Sequence, residues 1–271
     1  MNSYSVLMTV YNGDNPDYFA LSLDSMLNQT LSPEEIVIVK DGAINDKLQD
    51  VINQRLNGNI KINQVQLEKN VGLGLALNEG IKVITSELIA RMDADDYSLP
   101  ERCELQVKEF FKNPELDIVG YPVDEFVDDP DNVVGKRDVP LTNDEIYKYA
   151  KRRDPFNHPT VMYKKKTVES VGGYSDYRKN QDTDLWIRML QNNAICLNID
   201  KRLFRFRFDS GTYKKRKSWI NTKILIKIRY DAWKSGFNSF FDFFVVAISQ
   251  MGVYVLPVWF QKFLYKTFLR R

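Results

Sequence analysis

The chain is poor in sulfur and nearly devoid of imidazole. Its 271 residues include two cysteines, Cys103 and Cys196, and one histidine, His158. Two cysteines form neither a disulfide framework nor a zinc-binding pattern. One histidine excludes any site that needs several imidazole ligands. The N-terminus, MNSYSVLMTVYNG, has no basic n-region or cleavage site and runs straight into a strand pattern. Nothing there marks the chain for secretion, so a cytoplasmic location is expected. No internal repeat or low-complexity stretch is present. With 44% hydrophobic and 27% charged residues, the composition excludes a disordered chain. The length suits one large domain with an appendage.

The formal net charge of +2 conceals a division. Residues 212–271 carry 12 Lys and Arg against only Asp231 and Asp242, a balance of +10. The first 211 residues hold 26 basic and 34 acidic side chains, a balance of −8. The last 60 residues also hold 15 of the 34 aromatics. An acidic unit at 1–212 followed by a basic, aromatic extension at 213–271 predicts an anionic partner for the extension, either membrane surface or nucleic acid. A nucleic-acid binder would interleave stacking aromatics with Lys and Arg. Here the aromatics cluster apart from the cations, which favours lipid and argues against nucleic acid.

Residues 237–260 contain one charge, Asp242, and are long enough for a membrane span. Ser239, Ser249, Gln250 and Pro257 interrupt that run, while Phe240-Phe241 and Phe243-Phe244 suit an interfacial position. The basic clusters at 214–217 and 262–271 are placed to meet anionic headgroups, each cation contributing about 1 kcal/mol near the surface. The expectation is helices lying in plane on the inner leaflet. The alternatives are a true span and a helical lid packed on the domain.

In the first half, short apolar runs alternate with helical periodicity. Residues 5–10 (SVLMTV), 35–40 (EIVIVK), 61–67 and 88–92 (LIARM) read as strands, and 18–29, 44–56 and 73–84 as helices. A βαβαβαβ order implies a mostly parallel, Rossmann-like sheet with helices on both faces. Ligands of such sheets sit beyond the carboxyl ends of the strands. Those ends carry Thr9-Val10-Tyr11-Asn12, Asp41-Gly42, Asn70 and Asp93-Ala94-Asp95-Asp96. Further on, 118–127 reads as one strand, 143–151 as a helix, 160–163 as a strand, 182–191 as a helix and 194–208 as a long extended segment.

Asp93 and Asp95, one residue apart, repel each other and need compensation if buried. Mg²⁺ supplies it by taking one or two carboxylates together with diphosphate oxygens. The alternative is an exposed turn capping the helix that starts near Pro100. Arg91 is either a charge partner of the cluster or a diphosphate ligand. Asp182 opens a helix, where free backbone N–H groups stabilise a carboxylate; it reads as a cap or as a general base facing an acceptor hydroxyl. His158, between Pro155 and Pro159, is a hydrogen-bonded loop residue or part of an acceptor site. Leu185, Trp186 and Met189 read as core. The stretch from Gly72 to Asn78 fails the GxGxxG pattern, since Leu77 stands where the third small residue belongs.

The run from Val6 to Asn12, Val39-Lys40-Asp41-Gly42, Asn70-Val71-Gly72-Leu73 with Ala76, Asn78 and Gly80, and Ala90-Arg91-Met92-Asp93-Ala94-Asp95-Asp96 together resemble the family 2 glycosyltransferases of the GT-A fold. Asn157-His158-Pro159-Thr160, Gly172-Gly173-Tyr174 and Asp182-Thr183-Asp184-Leu185-Trp186 continue the likeness in order, over roughly residues 4–215. The chain looks most similar to the bacterial branch that builds capsule, exopolysaccharide and O-antigen units.

That resemblance implies a nucleotide-sugar site in which Thr9, Tyr11 and Asp41 hold the base, with Asn12, Asn70 and Arg91 nearby. Asp93 and Asp95, flanking Ala94, match the DxD pair that binds ribose and Mn²⁺ or Mg²⁺. Asp182 matches the base of an inverting, single-displacement reaction. His158, Gln181 and Trp186 fall in the acceptor region. Two departures stand out. Gln181 replaces the usual Glu before the catalytic Asp. The segment Arg205-Phe206-Arg207-Phe208 lacks a metal-facing His, so Arg205 or Arg207 is expected on the diphosphate.

The implied function is transfer of a hexose from a UDP-sugar to a lipid-linked saccharide, such as an N-acetylhexosamine on undecaprenyl diphosphate. The enzyme would be bound peripherally to the inner face of the membrane. A dTDP-sugar donor such as rhamnose, a sugar-phosphate nucleotidyltransferase and a non-catalytic scaffold are the alternatives. The nucleotidyltransferase would need a Gly-rich basic loop after the first strand, and Tyr11-Asn12-Gly13-Asp14-Asn15-Pro16 is not one.

Overall fold

The computed structural model describes residues 3–208 and 218–255. The basic clusters at 214–217 and 262–271, and the last part of the 237–260 window, lie outside these residues. The chain opens with three βα units and a fourth strand: β1 (Tyr4–Val10), α1 (Pro16–Leu27), β2 (Glu35–Lys40), α2 (Asp46–Asn53), β3 (Lys61–Gln66), α3 (Leu73–Val83) and β4 (Leu88–Met92). It continues through β5 (Tyr97–Ser98), α4 (Arg102–Lys112), β6 (Ile118–Gly120), β7 (Val123–Phe126), β8 (Val133–Arg137) and α5 (Asn143–Ala150). A 3-10 turn at His158–Thr160 leads to β9 (Met162–Lys164), α6 (Lys165–Ser170), α7 (Gln181–Gln191), β10 (Cys196–Asn198) and β11 (Phe204–Arg207). Two helices close the described chain, α8 (Trp219–Lys234) and α9 (Phe240–Val255).

The main sheet has seven strands in the order β10-β6-β9-β4-β1-β2-β3. Strands β1 to β4 are mutually parallel, as the βα alternation predicts, and β9 is inserted antiparallel to both β4 and β6. Period-two alternation assigns each side chain of β1 to one of two cores. Val6, Met8 and Val10 join the cluster that includes Phe19, Leu23 and Ile52, whereas Leu7 joins the opposite cluster with Val37, Val39 and Leu77. Helices cover both faces, so β1, β2 and β4 are buried along almost their whole length, whereas the edge strand β3 is polar and partly exposed.

Two expected strands are each divided between sheets. Residues 118–127 form β6 in the main sheet and then β7 in a second, four-stranded sheet ordered β5-β11-β7-β8. Residues 194–208 divide in the same way into β10 and β11. In the second sheet β5 pairs with β11, placing Tyr97 opposite Arg205. The acidic turn between β4 and β5 is therefore held at one end by the main sheet and at the other by the small one.

The extension is partly a lid. Ile228 and Ala232 of α8 pack on Ile187 of α7, and Asp242 of α9 forms a 2.6 Å ion pair with Arg152. Among the described residues no helix is long and apolar enough to cross a membrane. Helix α9 begins only at Phe240, because residues 237–239 belong to the turn after α8. An apolar face nevertheless points outward, with Phe240, Phe241, Phe244 and Ile248 all exposed.

Gly80 sits in mid-α3, where that helix crosses β1 and β2. A Cβ there would collide with Leu7 Cδ1 and lie 2.8 Å from Val39 Cγ2, both fully buried side chains. Gly80→Ala would gain about 1 kcal/mol of helix propensity. Overpacking of about 1–3 kcal/mol outweighs it. The expected result is a lower urea midpoint with an unchanged m-value.

Candidate active site

A cleft opens at the carboxyl ends of β1, β2 and β4. It comprises two adjoining chambers of about 480 Å³ and 250 Å³ that share Tyr11, Asp41 and Asn70. Asn12 and Lys69 line the larger chamber; Thr9, Asp14, Asp93, Ala94 and Asp95 line the smaller. Eight residues expected at a nucleotide site, all but Arg91 and Arg207, are thus gathered in one place.

Local chemistry fixes this rim. Tyr11, 47% exposed, donates its backbone N–H to Asp14 Oδ2 at 3.0 Å. Its ring lies where a Cβ on residue 13 would be, so Gly13 is required for that posture. Asp41 accepts from the backbone N–H groups of Val71 at 2.7 Å and Gly72 at 3.0 Å, tying the β2 end to the start of α3. Gly42 has φ +85°, and a Cβ there would meet Asn70 N at 2.8 Å. Asn12 accepts from Asn45 at 3.2 Å. Asn70 accepts from Arg178 at 3.2 Å. Arg178 had no sequence signal at all.

Beneath the acidic turn lie buried cations. Arg91 is fully buried and ion-pairs with Asp93 while donating to Met92 O. Arg102, also fully buried, donates to Arg91 O at 2.7 Å. Arg91 is an internal counter-ion, the charge-partner alternative of the sequence reading, and is not among the residues lining the cleft.

Arg207 likewise supports the turn from behind. Its backbone N–H donates to Asp96 Oδ1 at 2.8 Å, its Nε to Asp95 O at 2.7 Å and its Nη1 to Val127 O at 2.5 Å. The guanidinium lies 3.7 Å from the Tyr18 ring centroid and 4.3 Å from that of Phe126. Carbonyls and rings of the protein surround the group that was expected on the diphosphate. Arg205 is paired with Asp124 in the second sheet.

The carboxylates are crowded. Burial, together with the negative charges of Asp95 and Asp93, lifts Asp14 to about 7 despite its bond from Tyr11. The same causes hold Asp96 well above the usual carboxylate range, and its Oδ2 is buried without a partner. Asp95 is the exposed member of the turn. Among the described residues no group of three or more His, Cys, Asp or Glu is arranged to hold a metal alone. Hard carboxylate oxygens under mutual repulsion nonetheless fit Mg²⁺ or Mn²⁺ sharing its shell with a diphosphate.

The second half of the site is the start of α7. Its N-cap, Asn180, adopts φ +57° and makes no side-chain cap bond. Asp182, the second helical residue, accepts from backbone N–H groups of the first turn. Burial, then the charge of Asp154 and more weakly that of Asp93, raise it to about 7. Gln181 is buried against Gly74 of α3, where a Cβ on the glycine would stand 3.1 Å from its Cγ.

His158 and Trp186, expected in the acceptor region, are buried side chains. His158 Nε2 and the Tyr174 hydroxyl are 2.9 Å apart, and burial holds the imidazole well below its usual pKa, hence neutral. Trp186 is 1% exposed and packs edge-on against Phe156 and His158. Both belong to the core behind Asp182. Asn78 exchanges two 2.8 Å hydrogen bonds with the Tyr174 backbone, and Gly173 (φ +72°) leaves it room. Asp14, Asp154 and Arg178 were missed; only Asp14, in the turn after β1, stood within a segment already singled out.

A family model described as Glycosyl transferase family 2 matches residues 5–172. The Escherichia coli protein named UDP-Gal:alpha-D-GlcNAc-diphosphoundecaprenol beta-1,3-galactosyltransferase is 35% identical over 269 residues, covering 99% of this chain and 97% of its own. The amylovoran biosynthesis glycosyltransferase AmsE of Erwinia amylovora is 33% identical over 266 residues, covering 97% and 98%. Among solved structures, mannosyltransferase PcManGT from Pyrobaculum calidifontis, in complex with GDP-Man and Mn²⁺, has a TM-score of 0.64 at 16% identity. That match covers 93% of this chain and 70% of the other, a likeness of fold.

The raised pKa of Asp182 has a consequence for stability. The unfolded carboxyl ionises near its usual 3.8, whereas the folded one stays protonated up to about 7. The folded state therefore loses stability as pH rises through that interval. Asp182→Asn is expected to melt at a higher temperature than the parent at about pH 8 and at the same temperature at about pH 4.

Proposed function

The chain belongs to the family 2 glycosyltransferases and is a hexosyltransferase of GT-A-like fold, and we propose that it transfers hexose from a UDP-sugar to a saccharide on undecaprenyl diphosphate, with inversion. The observation that carries this reading is the cleft at the strand ends, which gathers Thr9, Tyr11, Asp41, Asn70, Asp93 and Asp95 in a chain similar along its whole length to a UDP-galactose-using relative; the raised carboxyl of Asp182 agrees with it. A carboxylate poised near neutrality takes a proton more readily than an ordinary one. It sits apart from the acidic turn but within reach of that turn's charge.

In this reading the base and ribose of the donor lie along Thr9, Tyr11, Asp41 and Asn70, with Asn12 at the rim and Asp93 on the ribose. Arg91 and Arg102 from below, and Arg207 from behind, hold the Asp93–Asp96 turn rigid, so its carboxylates need not reorganise when the donor arrives. Asp95 and Asp93 would hold Mg²⁺ or Mn²⁺, which when bound neutralises charge developing on the departing diphosphate.

Asp182 removes the proton of an acceptor hydroxyl. The hydroxyl oxygen forms a bond to the anomeric carbon as the bond to the diphosphate oxygen breaks, and the electron pair leaves with UDP. One displacement converts an α-linked donor into a β-linked product. The name of the full-length Escherichia coli relative supports UDP-galactose as donor and an N-acetylglucosamine diphospholipid as acceptor. Incubation of UDP-galactose or UDP-glucose with such a lipid and Mn²⁺ should give a β-linked disaccharide, and Asp182→Asn should lower the rate by about 10²–10⁴-fold. An α-linked product, or full activity in that variant, would refute the mechanism.

The exposed aromatic face of α9, with the flanking basic clusters of the sequence, supports attachment to the cytoplasmic leaflet, where the lipid-linked acceptor is found. Flotation with vesicles containing phosphatidylglycerol should fall in the Phe244→Ser, Ile248→Ser variant and in high salt. Unchanged flotation in both would remove the membrane role.

A further inference from the structure

The turn from Tyr174 to α7 is fixed at both ends and carries one long side chain to the edge of the cleft. At its start, Asn78 brackets the Tyr174 backbone. Ser175 Oγ donates to Asp184 at 2.5 Å, a carboxylate that also pairs with Arg188 at 2.7 Å. In the middle, Tyr177 packs on the cluster of Ile187, Ile228 and Ala232. At its end, Asn180 adopts φ +57° and donates to Asn221 at 2.9 Å. Arg178 lies between these fixed points, so its backbone position is set before a ligand arrives.

The Arg178 side chain crosses to the entry of α3. Its Nη1 donates to Asn70 Oδ1 at 3.2 Å, and its guanidinium lies over Gly72. A Cβ on Gly72 would stand 3.0 Å from Arg178 Nη1 and 3.2 Å from its Cδ, so the glycine provides the bed on which the side chain rests. Asn70 and Leu73, which bracket that bed in sequence, both line the smaller chamber, together with Asp14, Asp93 and Asp95. Among the described residues Arg178 makes this one hydrogen bond and no ion pair, which leaves most of its five N–H groups free. The other arginines near the chamber are engaged, Arg91 with Asp93 and Arg207 with the carbonyls of Asp95 and Val127. Lys69, on the larger chamber, presents a point charge without a fork. A diphosphate brings further negative charge to a chamber already lined by aspartates, and a guanidinium fork at its wall offsets that charge through two parallel hydrogen bonds.

We propose that Arg178 is a donor-binding residue: its guanidinium, seated on Gly72 and steadied by Asn70, pairs with the diphosphate of the nucleotide sugar. The turn that carries it leads into the helix that bears Asp182, so this one arm joins the two halves of the site. The inference rests on the cleft being the donor site.

The test is calorimetry of UDP and of uridine, with Mn²⁺, on the full-length parent, Arg178→Gln and Arg178→Lys. Arg178 is exposed, and its replacement leaves the core untouched. Loss of a charge-assisted pair should weaken UDP binding by about 10- to 100-fold in Arg178→Gln. Uridine affinity should stay at the parental value. Arg178→Lys keeps the charge without the fork and should fall between the two. Equal losses for UDP and uridine would place the guanidinium on the nucleoside and overturn the proposal. Parental UDP affinity in Arg178→Gln with a raised KM for the lipid-linked acceptor would overturn it too, by assigning the arm to the acceptor's diphosphate. If the parent binds UDP and Arg178→Gln matches it in every measurement, the proposal is wrong and the donor site stands. If the parent itself does not bind UDP, both fall.

Discussion

Repulsion among aspartates gathered at one edge of a parallel sheet is the constraint around which this molecule is arranged. Asp14, Asp41, Asp93, Asp95 and Asp96 converge where β1, β2 and β4 end. Such crowding is tolerable only with compensation, and two kinds are visible. Backbone N–H groups serve Asp41 and Asp14. Buried arginines serve the turn itself, Arg91 as an ion pair and Arg207 through the chain around Asp96. The exposed Asp95, with Asp93 beside it, carries the charge suited to a cation and a diphosphate.

The rest of the fold follows from keeping that turn in place. The four-stranded sheet exists where β5 leaves the turn, and β11 returns to pair with it, carrying Arg207 behind Asp95 and Asp96. On the other side of the cleft the same logic is repeated with fewer parts. Asp182 has one helix terminus and feels the charges of Asp154 and, more weakly, Asp93, and Asp154 faces the buried Arg229 of α8. The charge asymmetry between the acidic domain and the basic extension is thus more than an address label. One of the extension's cations is internal to the catalytic half.

The sequence disclosed the parts whose chemistry is local. Strands β1, β2 and β4 are apolar on both faces, and their ends carry the cleft residues, so the strand pattern led directly to Thr9, Tyr11, Asp41 and the acidic turn. It failed where a choice depended on tertiary position. Residues 118–127 and 194–208 each supply strands to two sheets, and an apolar run bears no mark of which sheet it joins. Arg91 and Arg207 are residue types suited to phosphate, yet those same properties make them counter-ions for carboxylates, and both are buried behind the turn. His158 and Trp186 lie in segments shared with the family but form the wall behind Asp182. Asp154 could not be found by spacing, since only the fold brings its charge within reach of Asp182.

The central claim is that the fold holds the carboxyl of Asp182 near neutrality for proton transfer. Carbon-13 NMR titration of aspartate carboxyls in the intact protein, with the Asp182 resonance assigned by its loss in Asp182→Asn, measures this directly. The account predicts a titration midpoint for that resonance of about 7. A midpoint of about 4, where an unperturbed aspartate titrates, would contradict it.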